Sequence, residues 1–100
     1  MSISNTQISR EMPKYKSHKI VHALKIKAIE LDTEKAFKED RETDGGAIII
    51  PIEEGYVPFK VEHAYISKHK PQVGGYYVVY EDGYKSWSPA DAFESGYTKV

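Results

Sequence analysis

The sequence of 100 residues contains no cysteine. That absence excludes disulfide bonds, thiol nucleophiles and thiolate zinc ligands, and it is typical of a reducing compartment. The sequence also lacks any apolar run near the roughly 20 residues that a membrane-spanning helix needs. Its first twelve residues, MSISNTQISREM, contain no apolar stretch of the kind found in a secretory signal. We therefore expect a soluble, cytoplasmic protein that packing and hydrogen bonds alone stabilise.

Signatures of catalysis are absent as well. The glycine pairs at 45–46 and 74–75 lack the spaced glycines and the lysine of a phosphate-binding loop. Ser86 and Ser88 have no glycine-framed elbow around them. The four histidines match no zinc-ligand spacing; they are His18, His22, His63 and His69. The sequence predicts no enzyme activity, no cofactor and no metal site.

The chain has little excess of charge of either sign, since its formal net charge is −1, but the charge is unevenly distributed. Residues 10–27 carry six basic side chains against one acidic side chain, whereas residues 30–44 carry seven acidic side chains against three basic ones. Adjacent segments of opposite charge largely cancel each other's field at a distance. The sequence therefore disfavours nucleic acid as a partner.

What is present is enough for one small domain, because 40% of the residues are hydrophobic and 29% are charged. We predict a flexible tail over residues 1–13 and a single α+β domain over residues 14–100. Its core is a small antiparallel sheet, and apolar periodicity places the strands at 20–31, 47–52, 76–81 and 84–87.

The first strand has one apolar face, on which we expect His22 as a core histidine; this face comprises Ile20, His22, Leu24, Ile26 and Ala28. After it, a helical turn is predicted from Asp32 or Thr33, followed by a mobile acidic loop over 38–46 of undefined role. Residues 61–69 fit a second helix that Pro71 ends, although a strand over 61–66 is also compatible with the sequence.

Asp82-Gly83 predicts a two-residue hairpin turn, because both central positions of such a turn need positive φ. This turn places Glu81 opposite Tyr84, Tyr80 opposite Lys85 and Val78 opposite Trp87. One face of the hairpin then carries Tyr76, Val78, Tyr80 and Trp87, and the other carries Tyr77, Val79 and Tyr84. Neither face is polar enough to be fully solvated.

The segment SWSPADAFESGY, residues 86–97, has the signals of a short helix over residues 89–95. Ser88 is the expected N-cap, Pro89 suits the first helical position, and Asp91 completes a capping box. Gly96 is the expected left-handed residue at the C-terminal end. So short a helix is stable only when docked, so we expect it to lie on the sheet through Phe93.

Tyrosine and tryptophan anchor many protein interfaces, and this small domain has eight tyrosines and one tryptophan. The simpler explanation is a thin domain whose aromatic rings fill the core while their hydroxyl groups reach water. The functional explanation is an aromatic binding surface for another protein, centred on Tyr77, Val79 and Tyr84 and completed by Tyr80 and Trp87.

The stretches MPKYKSHKIVHALKI, EEGYVPFKV and PQVGGYYVVYEDGYKSWSPADAFESGYTKV resemble small uncharacterised proteins of tailed bacteriophages and prophages of enteric bacteria. The resemblance covers most of residues 12–100 and implies a phage origin and a setting in the host bacterial cytoplasm. It implies no activity. A wider set of phage proteins is similar only near the end, at Gly74, Gly75, Tyr76, Gly83, Pro89, Phe93, Glu94 and Tyr97.

These observations favour a non-enzymatic phage accessory protein that binds a host protein or an anti-phage defence component. One alternative is a virion or assembly component acting as a homo-oligomer, in which the AIIIPI strand and the hairpin edges pair between copies. Another is a small-ligand binder, such as a nucleotide sponge, with tyrosine and histidine lining a pocket between subunits. No membrane partner is expected.

Overall fold

The computed structural model describes residues 12–16 and 18–100 and confirms the α+β class with an antiparallel sheet. The strands are β1 (His22–Leu31), β2 (Ala47–Pro51), β3 (Phe59–Val61), β4 (Tyr76–Val79) and β5 (Lys85–Ser88). The helices are α1 (Asp32–Lys38), α2 (His63–His69) and α3 (Ala90–Gly96). The predicted tail lies almost entirely outside the described residues, so the division at residue 13 stays a prediction.

The strand order is β3-β2-β1-β4-β5, which makes the long strand β1 the centre of the sheet. Its first half pairs with β4 and its second half pairs with β2. This order, with a helix between β3 and β4, is that of the OB fold, a five-stranded Greek-key arrangement. The β2 segment AIIIP is flanked by β1 and β3, so it has no free edge for pairing between copies, and the predicted pairing through this strand is wrong.

Contacts between distant strands show that the sheet curls. β3 and β4 are three strand spacings apart in the sheet, which would be about 14 Å if the sheet were flat. The rings of Phe59 in β3 and Tyr77 in β4 nevertheless have centroids 4.7 Å apart. Helix α2 lies across the remaining gap, where the Tyr65 hydroxyl donates a 2.7 Å hydrogen bond to the Ser86 carbonyl oxygen of β5.

The core lies inside this curl. Ile26 and Ile49 are completely buried, and Tyr65 from α2 is only 8% exposed. Burying an aliphatic side chain of this size contributes about 1.5–3 kcal/mol. The remaining members of the cluster and its half-buried neighbours are Ala47, Val61, Ile29, Phe59, Ile66, Tyr77 and Trp87.

A β-bulge corrects the predicted face of β1. Ile26 pairs with Pro51 and Ala28 pairs with Ile50, so Lys27 is an extra residue in β1. The side-chain alternation shifts by one residue at a bulge, and Ile29 instead of Ala28 packs against the core. The prediction that His22 is a core residue is also wrong, because this side chain is exposed near the start of the strand.

The hairpin connecting β4 and β5 is real, but its predicted register is wrong by one residue. Tyr77 pairs with Trp87, and Tyr80 donates its N–H to the Tyr84 carbonyl oxygen at 2.9 Å. The connection therefore has three residues, 81–83, with Gly83 in the left-handed region at φ 88°, which is the second common hairpin geometry.

Helix α3 begins one residue later than predicted, and its caps differ. Ser88 pairs with Tyr76 as the last residue of β5, so it does not act as a cap. The N-cap is Pro89, which has no side chain to donate or accept a cap hydrogen bond. Gly96 is the last helical residue and has no left-handed φ.

Candidate interaction surfaces

The register of the hairpin separates the five residues of the predicted aromatic surface. Tyr77 and Trp87 face the interior of the curl and pack against the core. Tyr77 lies between Phe59 and Tyr65, and burial raises its pKa above the ordinary value. These two side chains therefore hold the fold together. Val79 is half-buried, and any binding role for it stays a prediction.

Tyr80 and Tyr84 lie together at the hairpin tip, with their rings stacked at 5.9 Å. Tyr84 is 43% exposed. The Lys68 Nζ lies 5.1 Å from the Tyr84 ring centroid, within the range of a cation–π contact. A shallow depression of about 420 Å³ opens beside the tip, lined by Lys19, Ile20, Tyr80, Glu81, Asp82 and Tyr84. This surface is the part of the predicted aromatic surface that a partner can reach.

Helix α3 docks on the outer face of the sheet through stacked aromatic rings. The Phe93 ring stacks on Tyr76 at 4.2 Å and on Tyr97 at 4.7 Å. The Tyr76 hydroxyl donates a 2.8 Å hydrogen bond to the Glu94 carboxylate, which also accepts one from the Lys25 Nζ at 3.2 Å. The hydrogen bond from Tyr76 lowers the pKa of Glu94 and raises that of Tyr76. The role of these residues is structural.

The acidic segment after β1 is organised by Asp32. Its carboxylate accepts hydrogen bonds from the Arg41 guanidinium, at 2.9 and 3.3 Å, and from the Thr43 hydroxyl at 2.7 Å. These bonds lower the pKa of Asp32 from 3.8 to about 2. The Lys60 ammonium group on β3 pairs with Asp44 and ties the end of the segment to the sheet. The segment predicted to be a mobile loop is therefore held by hydrogen bonds at both ends.

Many of the large apolar side chains that face water lie outside the strands. Three of them precede β1 within nine residues: Met12 at 85%, Tyr15 at 93% and Ile20 at 61% exposure. Phe37 in α1 is 88% exposed. A third group lies in the β2–β3 connection, at Ile52, Tyr56 and Val57. Exposed apolar groups on connections, above a rigid sheet, are typical of binding surfaces.

No group of three or more potential metal ligands exists among residues 12–16 and 18–100. Over the same described ranges, no helix is both long enough and apolar enough to cross a membrane. The depressions found are shallow and open at the surface. The described part of the chain thus presents a small α+β domain with exposed apolar side chains on several of its connections.

No family model matches the chain, and no curated protein matches it. Among solved structures, the chain is similar to the NMR solution structure of the monomeric form of the phage L decoration protein. The TM-score is 0.58 and the sequence identity is 28% over 96% of this chain. The match covers 65% of that protein, so the chain spans less than two thirds of its length. The likeness is consistent with a phage protein, as the sequence resemblance implied.

Sequence reasoning missed the two most exposed aromatic side chains among the described residues, Tyr15 and Phe37. Tyr15 lies close to the predicted tail, and Phe37 was the single large apolar residue of a polar segment. An aromatic residue directly flanked by charged side chains, or the only large apolar residue of a polar segment, was the signal that could have identified them.

Proposed function

We propose that this chain is a non-enzymatic virion component that binds the outer surface of a phage capsid. The observation that carries this proposal is the likeness to the phage L decoration protein, which extends over 96% of the chain at 28% identity. That likeness favours the virion alternative of the sequence-based hypotheses. It gives no support to binding of a host or defence protein.

The physical properties of the domain suit this role. A curled sheet whose core is closed by α2 is a pre-organised scaffold, so binding costs little ordering of the backbone. Exposed tyrosines at the hairpin tip can anchor on a protein surface. Glu81 and Asp82 at the same tip would repel phosphate groups, which argues against the nucleic-acid ligands that other OB folds bind.

The direct test is whether the protein is part of the particle. Mass spectrometry of gradient-purified virions of the encoding phage should detect the chain in many copies per particle. Purified protein added to particles produced without it should co-sediment with them and saturate at a fixed number of sites. Absence from virions, together with no binding to particles that lack it, would overturn the proposal.

The contribution of the hairpin tip is testable in the same assay. Tyr84→Ala with Tyr80→Ala should weaken binding by at least about tenfold if the tip is an anchor, since interface tyrosines are frequent hot spots. Val73→Ala is a matched control, because Val73 is 61% exposed and lies away from the tip, in the loop between α2 and β4. Equal binding by the tip variant and the control would remove the tip from the contact but leave capsid binding intact.

A further inference from the structure

Two segments of the described chain carry opposite charge and an almost fully exposed aromatic side chain. The N-terminal arm, residues 12–20, contains three lysines and no acidic residue, and its Tyr15 is 93% exposed. Residues 30–44 contain seven acidic and three basic side chains, and their Phe37 is 88% exposed. No other aromatic side chain in the described ranges is exposed beyond 53%.

The surface around Phe37 is a shallow depression that is open to solvent. A shallow depression of about 510 Å³ runs along one face of α1 and is lined by Thr33, Glu34, Phe37 and Lys38. The hydrogen bonds of Asp32 with Arg41 and Thr43 fix the segment after α1, so the depression is presented on an ordered element. Glu34 and Lys38 both line the depression, and the segment that carries it, residues 30–44, has a net charge of −4.

The N-terminal arm has the opposite charge to this segment and carries exposed apolar side chains. Its described residues, 12–16 and 18–21, lie outside helices and strands, and Met12, three residues before Tyr15, is 85% exposed. Methionine and tyrosine are enriched at interface cores, where charged residues form the rim. An aromatic anchor between Lys14 and Lys16 therefore suits an apolar depression on a segment of net negative charge.

One copy of the chain is poorly built to bring these two segments together. The arm precedes the first residue of β1, and α1 follows its last residue. The ten residues of β1 separate the two segments by about 30 Å. Tyr15 lies seven residues before His22, the first residue of β1, and a fully extended backbone of this length reaches at most about 25 Å. An arm folded back along its own strand would have to be fully extended for Tyr15 to approach Phe37, whereas the α1 face of a neighbouring copy is not limited in this way.

We propose that the arm of one copy docks on the α1 face of a second copy, with Tyr15 seated beside Phe37. The contact is heterologous, so each copy has one arm and one acceptor face, and copies connect head to tail. It is small and charged, which makes it weak and salt-sensitive in free solution. A capsid surface that holds copies side by side would favour it through high local concentration.

Analytical ultracentrifugation of the full chain tests the contact without any capsid. At low salt the mean mass should rise with concentration as copies associate, and 0.5 M NaCl should return the protein to a monomer. Lys14→Glu with Lys16→Glu should abolish this association, and so should the combination of Glu30→Lys, Glu34→Lys and Glu42→Lys, which changes the net charge of residues 30–44 from −4 to +2. Each variant then has an arm and an acceptor face of the same sign. A mixture of the two variants should associate again, because each arm then meets an acceptor of opposite charge.

Cross-linking gives a second readout, since the natural chain has no cysteine. Tyr15→Cys mixed with Phe37→Cys under mild oxidation should give the mixed disulfide dimer at least about fivefold faster than Tyr15→Cys mixed with Tyr56→Cys. Tyr56 is a matched control, because it is an exposed aromatic residue on another connection. The cross-linking rates are compared only between variants whose melting temperature equals that of the wild type.

Several results would overturn the inference. They are a wild-type protein that stays monomeric at low salt and millimolar concentration, a mixture of charge variants that does not re-associate, or equal cross-linking rates for both cysteine pairs. A contact within one chain would appear as a salt-dependent change in shape that is independent of concentration, and it would equally overturn the inference. All these measurements use free protein, so they stand or fall separately from capsid binding.

Discussion

We predict that replacing Gly75 by a larger residue destabilises the fold, because the Trp87 side chain lies directly against it and not because of its backbone conformation. It is buried at the start of β4, and it does not have positive φ. A Cβ atom at this position would lie 2.4 Å from Cζ2 and 2.5 Å from Nε1 of the Trp87 indole. Both distances are far inside van der Waals contact, so either the indole or the β4 backbone must move.

Trp87 has little freedom to move. Its indole is half-buried against the core, and its Nε1–H is buried without a hydrogen-bond partner in the described part of the chain. Overpacking of this kind costs about 1–3 kcal/mol. For a domain of this size, each kcal/mol lowers the melting temperature by about 4–8 °C. We therefore expect Gly75→Ala to melt about 5–20 °C below wild type.

A double-mutant cycle separates the contact from any backbone effect. In a Trp87→Leu background the indole atoms are gone, and Gly75→Ala should then cost less than about 0.5 kcal/mol or stabilise slightly by restricting the unfolded chain. Urea unfolding followed by circular dichroism is suitable, because it does not depend on Trp87 fluorescence. Gly74→Ala is the contrast, since Gly74 has φ 92° and open space around it, and its cost should be the same in both backgrounds. Equal costs of Gly75→Ala in the two backgrounds would refute the steric argument.

Three further predictions concern the core and the acidic segment. Ile49→Ala, at a completely buried position, should lower the free energy of unfolding by about 2–5 kcal/mol in urea titrations, whereas Ile49→Val should cost about 1 kcal/mol. Tyr65→Phe should cost about 1 kcal/mol in the same assay, because the Ser86 carbonyl oxygen loses its donor across the gap. The pKa of Asp32 is lowered to about 2, so its stabilising contribution is complete above pH 4 and is lost as the pH falls towards 2. Asp32→Asn should therefore melt below wild type at pH 6 and at the same temperature near pH 2; a difference that persists at pH 2 would contradict this assignment.

The architecture was readable from the sequence wherever a pattern was long enough to repeat. Alternation over β1 and the β-branched run of β2 predicted both strands, and the cap-like residues around α3 placed it within one residue. β3 was not identified as a strand, because three residues after a proline are too short to show a period of two. The bulge at Lys27 could not be predicted either, since one extra residue in a strand does not change the composition of the segment.

The hairpin register shows why the candidate surface could not be predicted in full. An Asp-Gly pair suits both a two-residue turn and a three-residue turn that ends in a left-handed glycine. The choice between them depends on packing: the observed register places Trp87 opposite Tyr77 inside the curl and over Gly75. Because a shift of one residue exchanges the faces of a strand, it moved Trp87 from the proposed surface into the core. Ser88 likewise lost its capping role to a ladder position opposite Tyr76.

The way the sheet edges are closed also constrains how this domain can bind. Strand addition needs a free row of backbone groups, but β2 is paired on both sides, and β3 is only three residues long. β5 is also short, at four residues, and α2 is attached to it by the hydrogen bond from the Tyr65 hydroxyl to the Ser86 carbonyl oxygen. We therefore propose that recognition goes through side chains on the connections, where a few residues carry most of the binding energy. For this reason single substitutions at Tyr15 or Phe37, whose side chains are 93% and 88% exposed, should change binding while leaving the melting temperature unchanged, which strand addition would not allow.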